Sequence, residues 1–140
     1  MSTHPRRRVR VSVAGELGGG INGAWWPRTA VLTTELADLV TTLTTLVGDV
    51  TALNVNWPPG APPPDYNRPG WQYHRPHIVT ISGGHNQLRL LVIAHTTRAP
   101  LAVTLLRRAA GQPIHPAART TTIFDTAGAI LIAAQRHTTS

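Results

Sequence analysis

The chain has 140 residues, a hydrophobic fraction of 41% and a formal net charge of +7, which suits one domain with one hydrophobic core. It has no cysteine, which excludes disulfides and thiolate metal sites and fits a cytoplasmic location. The longest apolar run, residues 127–134, is far below the roughly 20 residues of a membrane span, and no apolar signal region follows the N-terminal arginines, so no membrane association is expected.

The basic charge is distributed unevenly. All thirteen basic residues are arginine, and the lack of lysine beside abundant Ala, Gly and Pro indicates GC-rich coding rather than a binding signature. Residues 11–65 carry one arginine against five acidic residues, a net charge of −4, whereas residues 66–140 carry eight against one, a net charge of +7. This excess favours anionic partners.

The N-terminal part is expected to contain one strand. Residues 1–7 are interpreted as a disordered basic leader. Arg8–Ala14 alternates valine with polar residues, which predicts a half-buried strand, and arginines on its open face suit a sheet edge. A glycine-rich loop follows, and Asn22-Gly23 is a turn signal.

A tryptophan pair precedes the clearest helix. The residue before Pro27 is pushed to extended geometry, so the two indoles of Trp25 and Trp26 should diverge, one into the core and the other to the surface. Leucines then recur at steps of 4, 3, 4 and 3, which predicts an amphipathic helix over residues 29–47. Thr29 is the expected N-cap and Gly48 the expected C-cap, with the acidic residues on a solvated face.

A second strand is predicted at Val50–Trp57. A loop with seven prolines follows at residues 58–76. It is long for a compact domain and is therefore expected to be functional or mobile. Residues 70–74, at its end, could form a short strand.

The next two apolar segments predict a hairpin, and the remainder predicts helices. His77–Ser82 and Gln87–His95 flank a Gly-Gly-His-Asn turn, and the second of them is apolar enough for a central strand covered on both faces. A helix is predicted at residues 101–110. After a linker, residues 123–136 favour a helix capped by Asp125, with a strand as the alternative.

These elements predict an α+β fold. Residues 8–111 are expected to form a single domain, with an antiparallel sheet of four or five strands and two or three helices packed on one face. Residues 112–140 are expected to be a linker and a C-terminal helix that packs on this domain.

The order of motifs resembles a known family. Gly-Ala-Trp-Trp-Pro-Arg precedes the leucine-rich helix, and an Asn/Trp strand, a Gly-Trp segment and Pro-His-x-Val follow. This resembles a family of small uncharacterised domains from high-GC bacteria with an Asp-Gly-Ala-Trp-Trp-Pro-Arg signature, over residues 8–111. The resemblance implies a shared fold and no activity. Asn22 replaces the family's leading Asp, and Arg75 stands where an acidic residue is expected.

Aromatic and arginine side chains provide the candidate binding residues. Such groups can clamp planar or anionic ligands. We expect the following residues to line one surface: Asn22, Trp26, Arg28, Trp71, Arg75 and His77.

Catalytic and metal chemistry find little support. His74 and His77 have an H-x-x-H spacing but face opposite ways on an extended segment, with no carboxylate near them. No Gly-x-Ser-x-Gly elbow occurs, and no acid lies near Ser82 and His85. No catalytic residue, cofactor or metal is therefore assigned.

The leading hypothesis is a non-enzymatic interaction or regulatory domain with an unidentified protein or anionic partner. The alternatives are an anion- or nucleic-acid-binding protein, which is not favoured because no known binding motif is present, and a small enzyme of unknown reaction.

Overall fold

The computed structural model describes residues 9–15, 20–58 and 60–137, and the leader expected at residues 1–7 lies outside them. The described residues form a sheet of five strands, which are β1 (Val11–Val13), β2 (Gly23–Trp25), β3 (Val50–Val55), β4 (Ile78–Gly83) and β5 (Gln87–Val92). Their order in the sheet is β1-β2-β5-β4-β3. Neighbouring strands are antiparallel except β2 and β5, which are parallel. The α+β class with a five-stranded, mostly antiparallel sheet is thus confirmed.

Three α-helices occur in the described residues: α1 (Leu32–Val47), α2 (Ala99–Ala109) and α3 (Thr122–Arg136). The helix favoured for residues 123–136 is therefore confirmed, but its N-cap is Thr121, whose hydroxyl accepts the Phe124 N–H, and not Asp125. The short strand expected at residues 70–74 is wrong, because Gly70 has a φ of 89° and starts a single 3-10 turn, Trp71–Tyr73. A second 3-10 turn, Pro116–Thr120, precedes α3.

Strand β5 lies at the centre of the sheet and is buried on both faces, as its apolar sequence predicts. Leu88, Leu90 and Val92 point into the core layer under α1. Leu91, and Ile93 directly after the strand, point into the layer under α2 and α3. The expectation that all helices pack on one face is wrong, because a strand with apolar side chains on both sides needs cover on both sides.

Helix α1 ends as predicted and begins differently. Gly48 has a φ of 79° and donates its N–H to the Thr44 carbonyl. At the other end, the carboxylate of Glu35 accepts the backbone N–H of Arg28 at 2.8 Å and the hydroxyl of Thr29 at 3.3 Å. Thr29 is therefore not the N-cap, which is Val31, and Glu35 holds the preceding loop against the helix instead of facing solvent.

Strand β1 is an edge strand, as predicted, but its polar face is not open. Ser12 is buried, with its hydroxyl donating to the Leu106 carbonyl at 2.5 Å and accepting the Ala24 N–H at 3.3 Å. The polar side of this strand therefore anchors α2 to the sheet.

Gly23 was predicted in a turn, but it lies in β2 without a left-handed φ. A Cβ at this position would collide with the Ser12 carbonyl oxygen. The two backbones are held together by the β1–β2 ladder, so neither can retreat. Close strand approach, and not turn geometry, is what requires glycine here.

We therefore expect Gly23→Ala to lower the free energy of unfolding by about 2 kcal/mol, as overpacking does. Gly84→Ala is the matched control, because a Cβ there meets nothing within 4 Å. Urea unfolding of both variants measures the difference. Equal stability of the two variants would contradict the steric role of Gly23.

Candidate functional site

A concave feature lies where β3 ends and β4 begins. We name it the proline groove. It has a volume of about 510 Å³, within the range of small-molecule and side-chain pockets. Its lining residues are Asn56, Trp57, Pro58, Ala61, Pro62, Pro64, His74, Arg75 and His77.

A stacked pair of rings forms one wall of the groove. Val55 pairs with Val79 in the β3–β4 ladder, so Trp57 and His77 come opposite each other two residues further on. Their rings are parallel, with centroids 4.5 Å apart and an interplanar angle of 4°. The His77 carbonyl accepts the Val92 N–H at 2.8 Å, so the central strand holds this wall in place.

Asn56 fixes the backbone on both sides of His77. Its Oδ1 accepts the Ile78 N–H at 2.7 Å, and its Nδ2 donates to the Pro76 carbonyl at 2.9 Å. Its own N–H donates to the Ile78 carbonyl at 3.2 Å. The side-chain amide thus replaces the strand pairing that Pro76, which has no N–H, cannot continue.

His77 is neutral near pH 7, and Arg75 supplies the positive charge. Burial lowers the pKa of His77 to about 4, because a buried imidazole loses the hydration of its charged form. Its Nδ1 is buried and has no hydrogen-bond partner in the part of the chain that the structure describes. Arg75 and His74 are exposed at the rim, and the described lining residues include no Asp or Glu. The groove therefore combines an aromatic wall with a basic rim.

The other predicted pair, Trp26 and Arg28, lies elsewhere. The indoles of Trp25 and Trp26 diverge into opposite core layers, as predicted, but both are buried, so the prediction of one exposed indole is wrong. The Arg10 guanidinium lies 3.7 Å from the Trp26 ring centroid and donates to the carbonyls of Trp26 (3.0 Å) and Pro27 (2.8 Å). Burial, and then Arg28, lower the pKa of Arg10.

The cleft beside this stack is too small for a ligand. It is lined in part by Arg10, Trp26, Arg28 and Glu35, and its volume is about 30 Å³, which is the space of one water molecule. The partner of the Trp26 ring is therefore Arg10 of the same chain, and not a ligand in this cleft.

Asn22 and Trp71 also lie away from the groove. Asn22 is 1% exposed; its N–H donates to the Arg89 carbonyl, and its Oδ1 accepts the Arg89 N–H, both at 2.8 Å. Trp71 is half-buried and meets Tyr66 edge to face at 5.7 Å. The six predicted residues therefore do not line one surface, because only Arg75 and His77 share the groove.

Sequence reasoning missed Asn56 and Trp57 as groove residues. The signal that could have found them is the antiparallel pairing of two adjacent strands. An Asn-Trp dipeptide ends one strand and a Pro-His dipeptide begins the next. Pairing puts these dipeptides opposite each other, whatever the length of the loop between them.

The fold is thus a small α+β fold with a mixed five-stranded sheet and helices on both of its faces. Residues 8–109 match a family of unknown function, DUF5994, and the chain belongs to that family. The resemblance to an uncharacterised domain family is thus confirmed. No curated protein and no solved structure matches the chain.

The described residues contain neither a membrane-spanning helix nor a metal-binding cluster. No helix there is long and apolar enough to cross a membrane. No three His, Cys, Asp or Glu side chains there come together in a way that could hold a metal ion.

The Arg10–Trp26 stack generates a stability prediction. Arg10→Met keeps the apolar stem and removes two hydrogen bonds and the cation–π contact, so the free energy of unfolding should fall by about 2 kcal/mol. Arg98→Met, at an exposed position, is the control and should stay within about 0.5 kcal/mol. Urea unfolding of both proteins checks this, and an unchanged Arg10→Met midpoint would refute the assignment.

The depressed pKa of His77 predicts acid sensitivity. An unfolded histidine titrates near pH 6.5, and folded His77 titrates near pH 4. Between these values the unfolded chain binds the proton more readily, so stability is full above about pH 6.5 and is lost as the pH falls toward about 4. The slope from this one group is at most roughly 1.4 kcal/mol per pH unit.

Chemical denaturation across this pH range measures the slope. His77→Gln should make stability less dependent on pH by up to one proton, whereas His74→Gln, at an exposed rim position, should leave the dependence unchanged. If both variants keep the wild-type slope, His77 is not the buried neutral group.

Proposed function

We propose that the chain is a cytoplasmic, non-enzymatic interaction domain that binds a protein partner in the proline groove. An apolar side chain of the partner packs against Trp57, and an acidic group of the partner pairs with Arg75. The observation that carries the proposal is the groove itself. It has a volume of about 510 Å³, and its aromatic and proline-lined wall meets a basic rim.

The composition of the groove suits protein recognition. Binding energy at protein interfaces concentrates on aromatic and arginine side chains next to apolar pockets. The prolines add rigid apolar surface with little conformational entropy to lose on binding. The exposed guanidinium of Arg75 contributes a charge that the described lining residues do not neutralise, so an acidic partner is favoured over a neutral one.

Anion or nucleic-acid binding is the second candidate. Its support is the set of exposed arginines in the C-terminal half, among them Arg68, Arg98 and Arg107. It has less support because Arg10 and Arg108 are engaged within the fold: each stacks on an aromatic ring and donates to a backbone carbonyl. The net charge therefore overstates the basic surface.

An enzyme that uses His77 as a base has less support still. A catalytic imidazole needs a group that orients it and a pKa close to the working pH. The Nδ1 of His77 has no partner among the described residues, and its pKa of about 4 makes it a weak base.

Site-specific photo-crosslinking tests the proposal. A photoreactive residue at Pro62, which is exposed and lines the groove, should capture a discrete protein in cells, whereas the same residue at the exposed Ile132 on α3 should not. Arg75→Glu should reduce the yield at Pro62 by about 10-fold or more, because it creates a repulsive charge at the rim.

Arg107→Glu is the matched control, since it makes the same charge change at an exposed position of α2, and it should leave the yield unchanged. The proposal fails if Pro62 captures no protein, or if the two glutamate variants reduce the yield equally.

A further inference from the structure

Among the described residues, nothing pairs with one row of backbone hydrogen-bonding groups on strand β3. The N–H of Asn56 bonds to the Ile78 carbonyl, and Asn54 is paired with Thr80, so these residues direct their backbone groups toward β4. Backbone direction alternates along an antiparallel strand. Leu53 and Val55 therefore direct N–H and C=O away from the sheet, and their side chains are 40% and 43% exposed.

The two edges of the sheet differ in their protection. Strand β1 is three residues long, Arg10 precedes it, and Ser12 within it is bonded to α2. Strand β3 has six residues, five of them exposed, and contains no charged residue and no proline. Soluble proteins normally protect an edge of this kind with charge, proline or cover, so its exposure indicates a partner strand.

The charge pattern selects the partner. Every residue from Val50 to Trp57 is uncharged, so this edge offers no counter-charge to a charged strand, and a second copy of the same strand meets no like charge here. The complementary strand is itself uncharged, with apolar side chains on one face and amides on the other. Strand β3 has these properties, with Leu53 and Val55 on one face and Asn54 on the other.

We propose that the protein forms a homodimer in which β3 pairs antiparallel with β3 of a second copy, so that the two sheets become one. The two-fold axis passes through Asn54. Leu53 of each copy lies opposite Val55 of the other, and the outward groups of these residues form four backbone hydrogen bonds. This register avoids the irregularity between Val50 and Ala52 and stops before Pro58.

The proposed register makes a specific prediction for Asn54. The two Asn54 side chains lie directly opposite each other, and like charges at such positions repel. Asn54→Arg and Asn54→Asp should therefore each raise the dimer Kd by about 10-fold or more. An equimolar mixture of the two variants should form a heterodimer, because the opposed charges then attract.

Sedimentation velocity measures all of these species. Wild-type protein should sediment at twice the monomer mass. Val55→Pro, which removes an outward N–H and no bond of the β3–β4 ladder, should be monomeric. Thr45→Arg, at an exposed position of α1, adds the same charge as Asn54→Arg and should remain dimeric.

A monomeric wild-type protein would overturn the proposal. So would a dimer that survives both Asn54→Arg and Val55→Pro, or a mixture of Asn54→Arg and Asn54→Asp that stays monomeric. Recovery of the heterodimer cannot come from misfolded variants, so a folding defect is not mistaken for a lost interface. The outcome is independent of the partner in the proline groove.

Discussion

The burial of β5 on both faces is the constraint on which the rest of the structure depends. Its side chains alternate between two core layers, so the sheet must carry α1 on one side and α2 with α3 on the other. The same strand aligns its neighbours. It pairs in parallel with β2 and antiparallel with β4. The central strand therefore fixes the positions of the tryptophan pair at the end of β2 and of His77 at the start of β4.

The groove lies where the pairing between β3 and β4 ends. Pro76 has no N–H to donate to the neighbouring strand, and Pro58 follows β3 on the other side. Regular pairing therefore stops between Trp57 and His77. The amide of Asn56 supplies the missing bonds, which keeps the strands together after the regular pattern has ended. The loop that follows β3 is thereby attached at a rigid base, and its prolines form a wall instead of continuing the sheet.

The sequence predicted the elements better than their spatial relations. Periodicity predicted α1, the β4–β5 hairpin and the central position of β5, because the spacing of apolar residues follows directly from which faces of an element are buried. It could not predict that Gly23 lies in a strand, because the reason is the carbonyl of Ser12 on a neighbouring strand. Nor could it predict the start of α1, where the Glu35 carboxylate accepts a hydrogen bond from the Arg28 N–H.

The candidate site was predicted only in part for the same reason. Arg75 and His77 are close in sequence and share the groove, whereas Trp26 and Asn22 were grouped with them on residue type alone. An indole close to an arginine is equally consistent with a ligand clamp and with an internal stack. Only the position of Arg10, 3.7 Å above Trp26, distinguishes the two. Residue type identified which side chains could take part in binding, and long-range strand pairing determined where those side chains lie.

The arginines show how a formal charge is divided between structure and surface. Arg10 and Arg108 each cover an aromatic ring and bond a carbonyl of the segment that bears it. Gly128 lies against the guanidinium of Arg108, so α3 makes room for this contact. These two guanidinium groups act as hydrogen-bonding covers for the core in a chain that has no lysine. The proposed recognition therefore depends on the positions of the remaining residues: Arg75 lies at the rim of an apolar groove, and β3 carries no charge.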